Sequence, residues 1–301
     1  MADLTTTGLI DKLKKRGMIP TSQQTFQNSD FLNFLDDELK HYIVPLVMST
    51  REEYFVKITD ETIGSTTSFD VPERAIGGKL RDLKRVSSNN VYSIPRINSD
   101  DIQRFNDISL VENGFYLESN LIKLLGSFNT ADELRISFFR RPNTLVLQSS
   151  CALVTSISGN DVTCSSMPTT WDTDDLFDVI RGKSQFSSRG DDQSVTALDT
   201  SAKTLSFTSA PSGIVAGDWI CLAKESPIPQ IPYECFPLLV LKTAAVVTRS
   251  IGDDKGAKAK EEKCTEMRDS ILGLLSERVE GEPQKIVNNH NLAWRNSRYW
   301  R

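Results

Sequence analysis

Three features of this 301-residue chain predict an α+β fold, a discontinuous helical body interrupted by a large β-rich segment. Apolar residues recur at steps of three and four near the front, over Asp30–Val47, and again between Leu238 and Glu280, which is the period of an α-helix. Between about residues 66 and 225 the pattern changes to short β-branched runs separated by polar turns. The proline-rich stretch SPIPQIP, Ser226–Pro232, then marks the return to helix. Each helical stretch is apolar over more surface than it can hide alone, so the two ends are expected to pack together with the β segment inserted between them. The predicted division is 1–65 and 226–282 as the two helical parts of the body, 66–225 as a barrel or sandwich, and 283–301 as an extended tail.

In order along the chain, Leu4–Lys15 reads as a short helix stopped by Arg16-Gly17 and Pro20, and Thr21–Gln27 as a polar loop. Asp30–Phe55 (DFLNFLDDELKHYIVPLVMSTREEYF) reads as one amphipathic helix running to about Lys57. Phe31, Leu32, Leu35, Leu39, Tyr42, Ile43, Leu46 and Val47 share its apolar face, with Asp36, Asp37, Glu38 and Lys40 opposite. Asn28, Ser29 and Asp30 offer capping oxygens. Pro45 should kink the helix, since proline lacks the backbone donor and its ring crowds the preceding turn.

Ser68–Val71 and Lys79–Val86 are expected as strands joined by a tight turn at Gly77 and Gly78, where glycine supplies positive φ. Gly114–Ser127 and Glu133–Phe139 read as a meander. Hairpins are expected around Ser158–Asp161 and Asp199–Ala202, with a last strand at Gly217–Leu222. Ser226–Pro232 reads as a stiff linker. Pro237 opens an apolar helix to Ser250, with Gly252 just beyond its end. Asp253–Lys260 reads as a charged turn, and Lys260–Glu280 as a helix burying Met267, Ile271, Leu274 and Leu275.

Composition narrows the function. No window holds 18 uninterrupted apolar residues, so no transmembrane helix or membrane anchor is expected, and the start lacks the apolar run of a secretory signal. Five widely spaced cysteines without C-x-x-C fit a reducing compartment. The net charge of −5 divides into −9 over residues 1–283 and +4 over residues 284–301. An acidic body gains nothing from releasing the counterions of nucleic acid, which argues against sequence-specific DNA binding.

Catalytic and metal-binding signatures are missing from the pattern. The two histidines, His41 and His290, are far apart in the chain, and no Cys/His cluster has zinc spacing. The carboxylate-rich runs Asp172–Asp178 and Asp191-Asp192 lack the loop pattern of a calcium hand and read as solvated. Gly77-Gly78-Lys79 lacks the spacing of a phosphate-binding loop, Gly-x-Ser-x-Gly is absent, and nothing combines nucleophile, base and orienting group. The expectation is a non-enzymatic protein without cofactor or metal. The end of the chain is different. Trp294, Arg295, Arg298, Tyr299, Trp300 and Arg301 concentrate the residue types that dominate interface hot spots, which points to docking in a partner's groove. Folding back on its own core, or stacking on nucleic acid, are the other readings of this tail.

The helix Asp30–Phe55 followed by Val71–Leu83 (VPERAIGGKLRDL) resembles the head-to-tail connector (adaptor or neck) proteins of tailed bacteriophages. There a helix of the form acidic–LxxxIVPLxxSxREEYF precedes an xIPxRAIGGxLRD turn. The resemblance covers the first third of the chain closely and the remaining layout loosely. It implies a structural virion protein at the head–tail interface, made in the bacterial cytoplasm and assembled as a ring, a dodecamer, between the portal protein and the tail or neck components. The helical body would form the ring wall, and the tail residues would engage the portal. Genomic DNA would pass through the lumen unbound, helped by like-signed walls. Two rivals come from the residues alone. One is a β-sandwich glycan- or receptor-binding virion protein, favoured if Trp171 and Trp219 are exposed on one face. The other is a cell-wall polymer hydrolase using Asp172, Asp174 or Asp175.

Overall fold

The computed structural model describes residues 4–19, 25–88, 90–98, 102, 113–183 and 187–276, and the structural statements below concern these. The chain is α+β with a closed β-barrel inserted into it. Helix α1 spans Thr6–Gly17 and ends on Met18 in the left-handed conformation, burying Leu9, Ile10 and Leu13. Helix α2 spans Asn28–Glu38, and its cap is Gln27 rather than the three residues that follow. Asp30 reaches back from the first turn to accept from the Gln27 backbone N–H at 2.7 Å.

The expected single helix to Lys57 is broken into pieces. After α2 comes a wide π turn, Leu39–Ile43, then α3, Val44–Thr50, then a 3-10 turn, Glu52–Phe55. Pro45 is therefore not inside a helix that it bends. The π turn ahead of it closes with Val44 N–H on the Leu39 carbonyl, so Pro45 falls in the first turn of α3, where no N–H is required. The extra residue also shifts the helix phase, so Ile43 and Val44 are both buried. From Val56 the chain is a strand, β1 (Val56–Thr62), and not the end of a helix.

Two β bodies follow rather than one. The first has a four-stranded antiparallel sheet in the order β1-β7-β3-β4, with β3 at Ala75–Ser87, β4 at Asn90–Ser93 and β7 at Glu133–Arg140. A three-stranded sheet, β2-β6-β5, accompanies it, with β2 at Ser68–Asp70, β5 at Asn113–Glu118 and β6 at Leu121–Gly126. Phe69, Leu83, Phe115, Ile122, Leu134, Ile136 and Phe138 form one apolar cluster within this first body. The expected meander is thus split: β5 and β6 form a hairpin in one sheet, while β7 lies in the other.

The second body is the closed barrel β10-β13-β12-β11-β14-β9. Its strands are β9 Ala152–Ser158, β10 Asp161–Cys164, β11 Leu176–Ile180, β12 Ser188–Asp199, β13 Thr204–Phe207 and β14 Trp219–Leu222. Both expected hairpins are present as β9–β10 and β12–β13. Val162, Phe177, Val179, Leu205 and Phe207 fill the interior, so the barrel is a packed core and not a pore.

The helical core takes in the outer wall of this barrel. Cys151, Ile180, Trp219 and Cys221 cluster with Leu9, Phe31, Leu35, Leu39 and the last helices. Those are α4, Phe236–Ser250, and α5, Asp254–Leu275. The segment 254–260 is helix and not a turn, because the Asp253 carboxylate caps α5 by accepting from Gly256 N–H at 2.9 Å. Ile271 and Leu275 are buried on α5, whereas Leu274 is 68 % exposed, contrary to the expected face.

Ser226–Pro232 is a buried strap and not a linker, with every residue of it inside the fold. Its carbonyl at Pro227 accepts from Thr6 N–H at 2.8 Å, which pins the start of α1. Just before it, β15 (Glu225–Ser226) pairs parallel with β8 (Thr144–Leu145). Asp36, placed on the polar face by sequence, reaches this region and accepts from Leu145 N–H at 3.0 Å.

Gly77 and Gly78 have φ of +58° and +65°. They do not join two strands. They lie within β3, in a bulge where the pairing with β7 jumps from Ala75–Arg140 to Leu80–Phe138. A Cβ at position 78 would stand 4.0 Å from Val71 Cγ1, so space is not the constraint and the backbone conformation is. Gly78→Val should cost about 1–3 kcal/mol through that strain, read as a lowered denaturation midpoint at unchanged m-value.

Candidate functional site

The densest polar chemistry lies where the two β bodies and the strap meet. Arg74 stands just before β3, in a turn closed by Ala75 N–H on the Pro72 carbonyl at 2.8 Å. Its own carbonyl accepts from Arg141 N–H at 2.7 Å, so the end of β7 fixes its place. From there the guanidinium crosses to the barrel. It donates to both oxygens of Asp178 at 2.7 and 2.9 Å, and to both oxygens of Asp192 at 2.5 and 3.0 Å. Asp178 points outward from β11, opposite in phase to the interior Phe177 and Val179, and its side chain is fully buried.

Five donors converge on Asp178: the two Arg74 nitrogens, Asn143 Nδ2 at 2.6 Å, and the backbone N–H groups of Asp192 and Lys224 at 3.0 and 3.1 Å. Arg140, at the end of β7, makes the second crossing. It donates to Asp191 at 2.8 and 3.1 Å, to Asn143 Oδ1 at 2.8 Å and to Gln230 Oε1 at 3.0 Å. Lys57 of β1 and the Ser188 hydroxyl also bond Asp191. Three cations, Lys57, Arg74 and Arg140, thus face three carboxylates, Asp178, Asp191 and Asp192. The charges balance, and the geometry is that of a clamp.

Beside the clamp lies a cavity of about 260 Å³. Tyr54, Phe55 and Pro142 give it an apolar side, and Lys57, Arg140 and Gln230 a polar one, with Ser187 and Ser188 completing the wall. Gln230 is 4 % exposed. Its Oε1 accepts from Arg140 and, at 2.7 Å, from Asn143 N–H, while its Nε2 has no acceptor.

The residues singled out by sequence are distributed differently. Gly77, Gly78 and Pro45 have the structural places given above. Trp294, Arg295, Arg298, Tyr299, Trp300, Arg301 and His290 lie outside the described residues. His41 is exposed on the π turn. Trp171 and Trp219 are 5 % and 6 % exposed, one in the barrel cluster and one against the helices, so they form no open aromatic face. Asp172 and Asp175 are bonded within their own turn, Asp172 N–H donating to the Asp175 carboxylate at 2.8 Å. Asp178 and the Asp191-Asp192 pair, read from sequence as solvated, are instead the acidic half of the clamp.

Among the described residues, no group of three or more His, Cys, Asp or Glu is placed to hold a metal ion. Burial pushes the Cys164 and Cys235 thiols up to about 12 and Cys264 up to about 11, the opposite of an activated nucleophile. None of the described helices is long and apolar enough to cross a membrane.

The sequence reading missed the clamp, although two signals pointed to it. One is a single carboxylate inside the apolar run LFDVI; the other is the arginine of PERAIGG, between the expected strands Ser68–Val71 and Lys79–Val86. Removing either partner of a buried pair strands the other charge. Arg74→Ala should therefore cost about 3–5 kcal/mol in equilibrium denaturation. Burial raises the Asp191 carboxyl, but the Arg140 and Lys57 charges outweigh it and hold the group well below the usual carboxylate range. Its contribution to stability is thus full above the unfolded value near pH 4 and is lost as pH falls below it. Asp191→Asn should flatten that acid limb in a pH series of melting temperatures.

No family model matches the chain, and a search of curated proteins finds none with significant similarity to it.

Proposed function

We propose that this chain is a non-enzymatic structural protein of a phage virion. In this reading it is a ring-forming adaptor between the portal vertex and the tail, which seals the head and lines the DNA channel. The supporting observation is what the two connector-like segments do in the fold. The stretch Asn28–Thr50 supplies the centre of the helical core through Phe31, Leu35, Leu39, Ile43 and Val47, all 0 % exposed. The second segment supplies Arg74, which with Arg140 and Lys57 joins the two β bodies. The resemblance therefore falls on the parts that make the chain rigid, which suits a wall element loaded by packed DNA.

The distribution of charge along the chain agrees with this reading. The charge of −9 before residue 284 repels phosphate, and the +4 of the last segment is available to an acidic partner. The glycan-binding reading loses its motivating feature, because Trp171 and Trp219 are turned inward. For a hydrolase, the Asp172–Asp175 turn offers carboxylates bonded to their own backbone rather than an opposed acid–base pair.

The purified chain should sediment as a monomer or weak oligomer at micromolar concentration and close into a ring only on purified portal, seen by native mass spectrometry. Truncation after Pro283 should leave the fold intact and abolish portal attachment. Trp300→Ala alone should weaken it by roughly 2 kcal/mol or more. A stable ring without portal, or full attachment of the truncated chain, would sink the proposal.

A further inference from the structure

The wall of the cavity beside the clamp holds a donor with nothing to bond. Gln230 Oε1 accepts from Arg140 at 3.0 Å and from Asn143 N–H at 2.7 Å, and two donors on that end identify it as the oxygen. The other end, Nε2, has no acceptor in a residue that is buried and lines the cavity. A buried donor in that state costs free energy, which an incoming acceptor recovers.

The charges of the clamp balance in sum but not in place. Arg74 takes the close contacts of two carboxylates, Asp178 and Asp192, so that end has one negative charge in excess. Lys57 and Arg140 share the single carboxylate Asp191, so the other end has one positive charge in excess. The cross contacts, Arg74–Asp191 and Arg140–Asp178, are both 3.9 Å and cancel in this count. Lys57 and Arg140 line the cavity and Arg74 does not, so the cavity opens on the positive end. Exposed Glu52, Glu53 and Glu234 stand nearby in the chain but are not part of its wall. An excess of one charge is matched by a carboxylate and overshot by a doubly charged phosphate.

The rest of the wall fixes what the carboxylate is attached to. The Tyr54 and Phe55 rings meet edge to face, 5.2 Å apart at 82°, and with Pro142 they form an apolar side. Burial raises the Tyr54 phenol, which therefore stays neutral and adds no opposing charge. The volume of about 260 Å³ lies just below the roughly 300–1,000 Å³ of sites for drug-sized ligands, which suits one ring with a short acid arm. The Lys57 side chain is 34 % exposed, so the positive end is also the end that reaches solvent.

We propose that this cavity binds a small organic acid with one carboxylate on an aromatic or branched apolar body. The carboxylate accepts from Gln230 Nε2 and Lys57 Nζ, and the apolar body packs on Tyr54, Phe55 and Pro142. An occupant so placed ties the strap to β1 and reinforces the junction of the two β bodies. The site lies wholly within one chain and stands independently of the ring reading.

The full chain titrated with 4-fluorophenylacetate, observed by 19F NMR of the ligand, provides the test. Line broadening should give a Kd of about 0.1–1 mM, and neutral 4-fluorophenylacetamide should bind at least about tenfold more weakly. Inorganic phosphate should compete poorly. Ser187→Phe fills the cavity from outside the clamp and should abolish binding. Gln230→Glu keeps an oxygen for Arg140 and Asn143 but replaces the donor with the negative charge the site lacks, and should weaken binding about tenfold or more. Circular dichroism checks that each variant is folded, and the comparison of acid with amide needs no variant. Saturating acid should raise the melting temperature of the wild type and leave that of Ser187→Phe unchanged. Equal affinity for acid and amide, undiminished binding in folded Ser187→Phe, displacement by an equal concentration of phosphate, or no broadening up to about 10 mM acid would each overturn the proposal. A tripeptide ending in phenylalanine that binds more tightly than the acid would assign the site to a chain terminus and overturn it as well.

Discussion

The bidentate contact between Arg74 and Asp178 is the constraint on which the rest of the architecture depends. Asp178 projects from the outer wall of the barrel into a space closed to solvent, its side chain fully buried, and Arg74 reaches it from the other β body. Neither charge is tolerable there alone, so the two bodies can be assembled in one relative placement. Asn143, Arg140 and Gln230 extend the same requirement to the strap, and Lys57 extends it to β1. An apolar junction of similar size would hold the bodies together with less demand on their orientation. A network whose hydrogen bonds must be met fixes orientation as well as contact.

This clamp also explains how a chain can carry two β bodies without the looseness usual between domains. The barrel contributes its outer wall to the helical core, through Ile180, Trp219 and Cys221, while the first β body holds the barrel by polar contacts. Apolar burial thus supplies cohesion on one side of the barrel and charge pairing supplies alignment on another. The division matches the alternation along β11, where Phe177 and Val179 face the barrel interior and Asp178 and Ile180 face the other bodies.

Much of the architecture was legible in the sequence because it follows from periodicity. The apolar face of Phe31–Val47, the hairpins of the barrel and the proline-opened helix α4 are local consequences of side-chain spacing. What was not legible was non-local. The helix expected to run to about Lys57 gives way at Thr50 to a 3-10 turn and then to strand, a change for which EEYF and VKIT carry no local stop signal. Ser226–Pro232 has the composition of a linker, yet Ile228 and Ile231 are buried because α1 and the barrel close over them. Asp178 looked like one more acid in an acidic run, and only the fold shows that an arginine 104 residues away meets it. Gly77 and Gly78 were recognised for their backbone freedom, though what uses it is a bulge inside one strand. The cavity at Gln230 had no local signature, being made from four separate stretches of chain.

The strap has a consequence for how the chain acquires its structure as it is made. Helix α1 is held by Thr6 N–H on Pro227 and by Arg16 on the Pro237 carbonyl, each across 221 residues of sequence. At the usual pace of about 5–20 residues per second, α1 leaves the ribosome roughly 10–40 s before its partners exist. For that interval Leu9, Ile10, Leu13, Phe31 and Leu35 have no core to enter, while the two β bodies can close behind them. Long-range closure of this kind is slow and exposes apolar surface to other chains. Holding those first two helices apart from neighbouring nascent copies becomes a task for the cell's chaperones.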